Sequence, residues 1–511
     1  MQKRVNYNYI KERKRRDSRL FPPGIRLDER PFRPVLITLT AAVGGRTEIL
    51  MKNKNRLVCR ISALALFLLV ILLAFTSCFG EVDAKENIEA GISSSLEYDS
   101  REYDYVSLYL SDWGITNFDL NKFSYFENAI SRYYNYAEAP ESILTHARDT
   151  AYYFIENYYD NINLKSRTEV TDALLHSYAA TVGDPYCVYR EPETYEDYNT
   201  DMSGKFGGIG IVIEYSQADN TLLVTEIIID SPAEVAGIKV GDYIISIDGQ
   251  SIEDVGYPDI VYAVRGEIGT EVEIGVLRDG RELYVTAVRA EIIDKTVDYS
   301  LGTDGYGYIR ISGFKENTFE QFVEAVDYME ANGALGIVFD LRSNPGGYLT
   351  TVCDMLSYIV PNGQTIVSYQ YKNQPMTEIV SSTDTHPETG VESDHALSLP
   401  VVVICDEYTA SAGEIFTAAV RDYRNAGLLR ATIVGTTTYK KGIMQNTYLY
   451  RRDGSSLTMT IAYYNPPCGE NYHGVGVTPD VIVELDENSI EDAQLIRALE
   501  ELKKLVNANN N

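Results

Sequence analysis

The sequence predicts an α/β layered domain toward the C-terminus, a mainly-β module set in front of it, and a helical region before both. Three observations carry this. From about residue 295, strand-like runs alternate with helix-like runs, the pattern of a layered α/β domain. Between 204 and 291 short alternating strands are punctuated by glycine turns. In 141–182, "ILTHARDTAYYFIENYY" and "EVTDALLHSYAATV" space apolar residues three to four apart, as helices do.

The 511 residues exceed one ordinary core, so two or three domains are expected. Hydrophobic residues at 45% and charged residues at 23% exclude a disordered chain. The charge is uneven: residues 1–60 hold 16 Lys and Arg against 5 Asp and Glu, while the whole chain carries −29. The acidic body excludes nucleic acid as a partner, because phosphate binding needs a basic surface.

Taken in order, residues 1–50 read as an upstream extension if Met51 is the start. Residues 51–78 read as an export segment. Its apolar run Ile61–Phe75 has 15 residues, fewer than the ~20 that span a bilayer, and it follows the basic stretch of 51–56. The run ends Phe75-Thr76-Ser77-Cys78, which resembles a bacterial lipobox with Cys78 as the lipidated residue; an uncleaved anchor is the alternative. Either places the body on the extracytoplasmic face of a membrane. Residues 79–140 form an acidic, Tyr-rich linker passing into helices, and the tyrosines at helical spacing in 98–160 suit packing or a homo-oligomer interface. Residues 141–203 continue helically until Asp184-Pro185 breaks the pattern.

Within 204–291, "KFGGIGIVIEY" and "TLLVTEIII" alternate as strands. A short helix from Pro232 then stops at Gly237, and hairpin turns fall at Asp248-Gly249 and Asp279-Gly280. This order of pieces resembles a PDZ domain. The resemblance implies that Gly207, Gly208, Ile209 and Gly210 bind a peptide's terminal carboxylate. In 292–485, "ALGIVFDLR" leads into "SNPGG", and "LPVVVICDE" leads into "YTASAGEIFTAAVRDY". The tail, 486–511, is a capped helix.

Ser411 stands at a strand-to-helix junction, where free backbone N–H groups and the helix dipole stabilise a developing oxyanion. A plain helix cap is the structural alternative. The segments "GDPYCVY", "GKFGGIGI", "SPAEVAGIKVGDYIISIDG", "DLRSNPGG", "YTASAGEIF", "AAVRDY", "YKKGIMQ" and "VGVTPD" follow one another across about 140–485. They closely resemble the carboxyl-terminal processing peptidases, PDZ-containing Ser–Lys proteases with a crotonase-like, tail-specific protease fold. That resemblance implies Ser411 as nucleophile, Lys441 as general base and Gln445 as the residue orienting the lysine. Backbone amides of Gly346 or Gly347 and of Ala412 would form the oxyanion hole, with Asp422 structural. The implied partners are protein or peptide substrates held by their C-termini, with no cofactor.

Two features depart from the family. Lys440 occupies a position usually glycine and is expected to point outward from a strand, and the "RNAGLL" loop carries about five extra residues. A PDZ scaffold with an inactive protease domain is the rival reading. His146, His176, His386, His395 and His473 lack metal-ligand spacing, so no metal is expected. A Ser–His–Asp triad using His473 stays open. The cysteines beyond the export segment show no CxxC pairing, and Cys405 reads as a buried small hydrophobe.

Overall fold

The computed structural model describes residues 101–111, 115–136, 143–159, 166–216, 221–252, 259–381, 395–484 and 491–508. The upstream stretch 1–50, the export segment with Cys78, and His386 lie outside the described residues. No described helix is long and apolar enough to cross a membrane.

The described chain opens with α1 (Arg101–Ser111), α2 (Leu120–Tyr133), α3 (Ile143–Phe154) and α4 (Arg167–Thr181). Asp119 caps α2 by accepting from the Asn121 and Lys122 amides, and Ser166 and Glu169 form a reciprocal capping box on α4. Strand β1 (Val188–Arg190) and helix α5 (Pro192–Ser203) lead to the β-rich module.

That module runs β2 (Lys205–Gly208), β3 (Ile211–Ser216), β4 (Thr221–Ile227), α6 (Pro232–Ala236), β5 (Tyr243–Ile247), β6 (Gln250–Ser251), α7 (Asp259–Val264), β7 (Glu271–Arg278), β8 (Arg281–Val288) and β9 (Ala290–Ile293). Its antiparallel sheet has the order β3-β4-β5-β7-β8, and β2 pairs with β9 as a two-stranded neck. The neck brings entry and exit together, so the module is an insertion. Lys315 fastens it, reaching Asp201 at 3.1 Å and Asp294 at 2.8 Å. Helix α6 stops at Gly237, whose φ of +82° suits a residue without a β-carbon.

The layered domain follows with β10 (Val297–Leu301), β11 (Tyr306–Ile311), α8 (Thr318–Ala331), β12 (Gly336–Asp340), α9 (Leu349–Ile359), β13 (Thr365–Tyr371), β14 (Met376–Val380), β15 (Val401–Cys405), α10 (Ala412–Asn425), β16 (Ala431–Gly435), β17 (Ile443–Tyr450), β18 (Ser455–Asn465), β19 (Val481–Ile482) and α11 (Ala493–Asn507). The central sheet has the order β10-β11-β12-β15-β16-β19 and is parallel from β11 onward. Buried on both faces, its middle strands read as unbroken apolar runs. Ile337, Phe339, Val401 and Val403 face the core with α8, α9 and α10, while Val338, Val402, Ile404 and Val434 face α11.

A second, antiparallel sheet contains β1-β18-β13-β14 with β17 on β18. Its Leu457, Met459 and Ile461 share one core with Phe123, Phe126, Leu174 and Tyr178 of the N-terminal helices. The helical region and this sheet are therefore one folded unit. The strand read in "PDVIVEL" shortens to β19, and the tail helix starts at Ala493. Helix α5 and the β13–β14 hairpin had no clear sequence signal.

Gly435 ends β16 with φ +127°, and a β-carbon there would lie 1.9 Å from the Cys405 carbonyl oxygen. Gly435→Ala is expected to destabilise the domain by about 2–4 kcal/mol. Urea denaturation checks this, and an unshifted midpoint would contradict it.

Candidate active site

Strand β15 ends at Cys405, and the chain turns through 406–411 into α10. Asp406 organises the turn: one carboxylate oxygen accepts from the Ser343 amide at 2.9 Å and the Tyr408 amide at 3.0 Å. The Thr409 hydroxyl donates to the Leu341 carbonyl at 2.8 Å, and the Ala410 amide donates to the Asn344 carbonyl at 2.8 Å. The loops after β12 and β15 are thereby laced together below Ser411.

Ser411 is the N-cap of α10 with φ +53° and ψ −115°, a conformation that costs a non-glycine residue on the order of 1–3 kcal/mol. Glu414 holds it there. This carboxylate is fully buried and takes four donors. One oxygen accepts from the Ser411 amide at 3.0 Å and the Lys441 amide at 2.7 Å. The other accepts from the Lys440 amide at 2.7 Å and the Thr438 hydroxyl at 2.5 Å. Thr438 itself accepts from the Val477 amide. Burial pushes the Glu414 carboxyl up against the pull of these four bonds.

The same carboxylate thus ties the backbones of residues 411 and 441. The Lys441 side chain is half-buried, with its amine over the Tyr186 ring, 4.4 Å from the centroid. Burial lowers its pKa to about 8, opposed by the charges of Asp184 and Glu414. The Tyr464 hydroxyl donates to the Lys441 carbonyl at 2.7 Å and faces the Ser411 side chain. Burial raises that phenol, which keeps it a donor. No hydrogen bond joins the Ser411 hydroxyl to the Lys441 amine among the described contacts. Such contacts are commonly long in a resting site and tighten around substrate.

The Gly346 amide is engaged, donating to the buried Asn344 side chain at 2.8 Å. A β-carbon on Gly346 would lie 2.8 Å from that of Ser411, so only glycine fits beside this residue. The amides of Gly347 and Ala412 have no acceptor among the described contacts.

Gln445 makes no hydrogen bond to Lys441 among the described contacts. Its amide nitrogen donates to the Thr460 hydroxyl at 3.2 Å and the Ile443 carbonyl at 3.5 Å, beside a bulge between Met444 and Gln445 in the β17–β18 ladder. The carboxylates acting on Lys441 are instead Asp184 and Glu414. Asp184 is placed by accepting from the Tyr186 and Thr460 amides. Glu414 was legible as Ser-x-x-Glu at a helix start, a capping-box pattern. Asp184, remote in sequence, gave no spacing signal. Lys440 is exposed, although not by strand alternation: β17 begins only at Ile443, and Lys440 sits in the preceding loop at φ +83°. That φ is the physical reason a glycine suits this position. Asp422 accepts from the Cys468 amide, a structural tie.

In the β-rich module a groove of about 680 Å³ runs between the free edge of β3 and α7. Ile209, Ile211 and Ile213 line one wall and Val261 and Val264 the other, with Arg265 among the lining residues. Gly208 and Gly210 also line it. Gly207 does not: its place in β2 lets Gly266 approach, since a β-carbon there would lie 2.0 Å from the Gly266 carbonyl oxygen. His146, His176 and His395 pair with Tyr178, Glu191 and Glu330, and no acidic, His or Cys cluster among the described residues could hold a metal. Cys405 is fully buried.

Glu414→Gln places an amide NH₂ against donors that have no other acceptor. It is expected to cost about 2–4 kcal/mol of stability. Denaturant titration checks this, and a loss below about 0.5 kcal/mol would remove Glu414 from its tethering role.

Residues 305–483 match peptidase family S41, and residues 223–278 match the PDZ domain family. A probable CtpA-like serine protease of Staphylococcus haemolyticus (strain JCSC1435) is 33% identical over 312 residues, covering 61% of this chain and 60% of that protein. The carboxy-terminal processing protease CtpA of Bacillus subtilis (strain 168) is 31% identical over 320 residues, covering 62% and 65%. The chain spans less than two thirds of the length of these curated relatives. Among solved structures, the photosystem II D1 C-terminal processing protease aligns with 77% of this chain and 96% of its own, at 23% identity and a TM-score of 0.40. Residues 305–483 are thus similar to peptidase family S41, and residues 223–278, within the β-rich module inserted ahead of them, to the PDZ domain family.

Proposed function

We propose that the chain is a serine endopeptidase, tethered to the outer face of a membrane by its export segment, that grips substrate C-termini in the PDZ groove and cleaves with Ser411 and Lys441. The observation that carries this is a desolvated lysine, with pKa lowered to about 8, tied through one buried carboxylate to a strained serine at a helix start. An ordinary lysine, near ~10.4, is protonated at neutral pH and cannot accept a proton. Near 8 a useful fraction is free base.

In the proposed reaction the Lys441 amine takes the Ser411 proton as the serine oxygen attacks the peptide carbonyl. The Gly347 and Ala412 amides receive the oxyanion. The ammonium then protonates the leaving amine, and water, deprotonated in turn by Lys441, releases the acyl group. The Gly346 amide, already bonded to Asn344, takes no part. The free β3 edge suits pairing with an extended peptide, and the apolar walls suit an apolar terminal side chain. Extracytoplasmic location accords with the basic and apolar stretch of 51–78.

The test is cleavage of an unfolded protein by the wild type, Ser411→Ala and Lys441→Ala. Both variants are expected to lose at least about 10³-fold in kcat/KM. Wild-type kcat/KM is expected to rise tenfold per pH unit below about 8 and level off above it. A profile flat from pH 6 to 9 would rule out the lysine as base. Binding without cleavage by the wild type would favour the scaffold reading.

A stability signature accompanies the chemistry. The Lys441 pKa in the fold lies below its unfolded value, so the fold carries a penalty at every pH below about 8, which fades as pH rises toward the unfolded value. At pH 7, Lys441→Met is therefore expected to stabilise the protein, by roughly 1–3 kcal/mol, while abolishing cleavage. Thermal denaturation at pH 7 and pH 10.5 checks the sign, the gain shrinking at the higher pH. Amidating a substrate's C-terminus is expected to raise KM at least about tenfold and leave kcat within about twofold, as measured by steady-state kinetics.

A further inference from the structure

His473 lies on the turn that packs against the loop carrying Lys441. The loop 438–442, which delivers Lys441, has its backbone polar groups engaged. The Tyr439 amide donates to the Thr409 carbonyl at 3.0 Å, and the Lys440 and Lys441 amides donate to Glu414. The Lys441 carbonyl is taken by Tyr464, and the Lys440 carbonyl accepts from the Gly474 amide at 3.0 Å. The Gly442 carbonyl accepts from Asn471 at 2.8 Å. The Gly442 amide donates to His473 Nδ1 at 3.3 Å.

Two residues of one turn, Asn471 and His473, therefore clamp the two sides of Gly442. The turn is itself braced, since the His473 amide donates to Asn471 Oδ1 at 2.8 Å. It also sits too close to tolerate a side chain on Gly442, whose β-carbon would lie 2.7 Å from the His473 backbone nitrogen. Every other acceptor used by these loop amides is a carboxylate or a carbonyl. The imidazole is the one whose acceptor nitrogen is lost on protonation within the physiological range.

We propose that His473 is a positioning residue for Lys441: its neutral imidazole holds the Gly442 amide, and protonation lets go of the base loop. The proposal rests on Lys441 being the general base. With Nδ1 accepting, the proton of neutral His473 resides on Nε2; an imidazolium carries N–H at both nitrogens and sets donor against donor. The titratable groups around it are the phenols of Tyr136 and Tyr463, whose rings stand edge-on at 6.0 and 5.7 Å, and Glu470 on its own turn. Lys440 and Lys441 lie on the clamped loop itself. Acidification thus acts twice, by protonating the base and by releasing the loop that aims it.

The test compares the wild type with His473→Gln, whose side-chain carbonyl accepts from Gly442 at any pH. Each kcat/KM, normalised to its own value at pH 8, is followed to pH 5. The wild type is expected to fall about 5–10-fold further than the variant, the loss of one neutral hydrogen bond. Hydrogen exchange of the peptide spanning 438–444 is measured in parallel, on Ser411→Ala backgrounds. Gly442 protection is expected to drop at pH 5 in the His473 protein and to persist in His473→Gln. Equal protection in both at pH 5 overturns the clamp, whatever the activities. Should the wild type cleave nothing at any pH, the peptidase reading fails instead, and the exchange result still decides the clamp.

Discussion

A single buried carboxylate carries the architecture of this site. Glu414 lies one helical turn into α10, so its position relative to Ser411 is local and cheap to specify. Its other partners come from a loop about 25 residues on in sequence, across the strand β16. Satisfying four donors with two oxygens fixes Ser411 in a backbone conformation it would not choose and brings Lys441 alongside. Because the group is fully buried, no water can substitute for a missing donor, and the arrangement is close to all-or-none. Mobility in either segment would leave a buried charge unpaired, which is why both segments are otherwise held at nearly every backbone group.

The charge logic follows. Burial disfavours the Lys441 ammonium, yet Glu414 and Asp184 both favour it. Glu414 spends its negative charge on the Ser411, Lys440 and Lys441 amides and on Thr438, so it acts on the amine at a distance and not as a direct partner. Asp184 is likewise engaged by the Tyr186 and Thr460 amides. Desolvation is therefore left as the dominant influence, and the pKa settles between an ordinary lysine and one stripped of all counter-charge. Two carboxylates neutralised by backbone donors hold the geometry without fully restoring the proton.

How much of this the sequence disclosed depends on the range of the interaction. The strand runs of β12 and β15 and the capped start of α6 follow from neighbouring residues, and they were readable. So was the placement of Ser411 at a helix start. Gln445 illustrates the limit: its role was carried over by similarity, but a bulge after Met444 aims its amide at Thr460, and strand periodicity cannot announce a bulge. Gly207 and Gly346 make the same point from the other side. Both positions need glycine for close approach, Gly207 to the Gly266 carbonyl and Gly346 to Ser411, a demand that only the folded chain reveals. Asp184 is the hardest case, a helix-breaking Asp-Pro locally and a charge on Lys441 in space.

The PDZ insertion is joined where its motion would be felt. Its neck, β2 with β9, closes on Asp294, and Asp201 at the end of α5 lies 3.7 Å from Arg265 and 3.1 Å from Lys315. Arg265 also stacks on the Phe206 ring at 4.1 Å and lines the peptide groove. Lys315 is adjacent to Phe314, whose carbonyl accepts from the Tyr348 amide and whose amide donates to the Gly346 carbonyl. Two ion pairs, one peptide link and one hydrogen bond therefore lie between Arg265 in the groove and the glycine packed against Ser411. Exposed ion pairs contribute little to stability individually. The Asp201 and Asp294 contacts to Lys315 thus fasten the module beside Phe314, whose backbone pairs with the segment of Gly346 and Gly347.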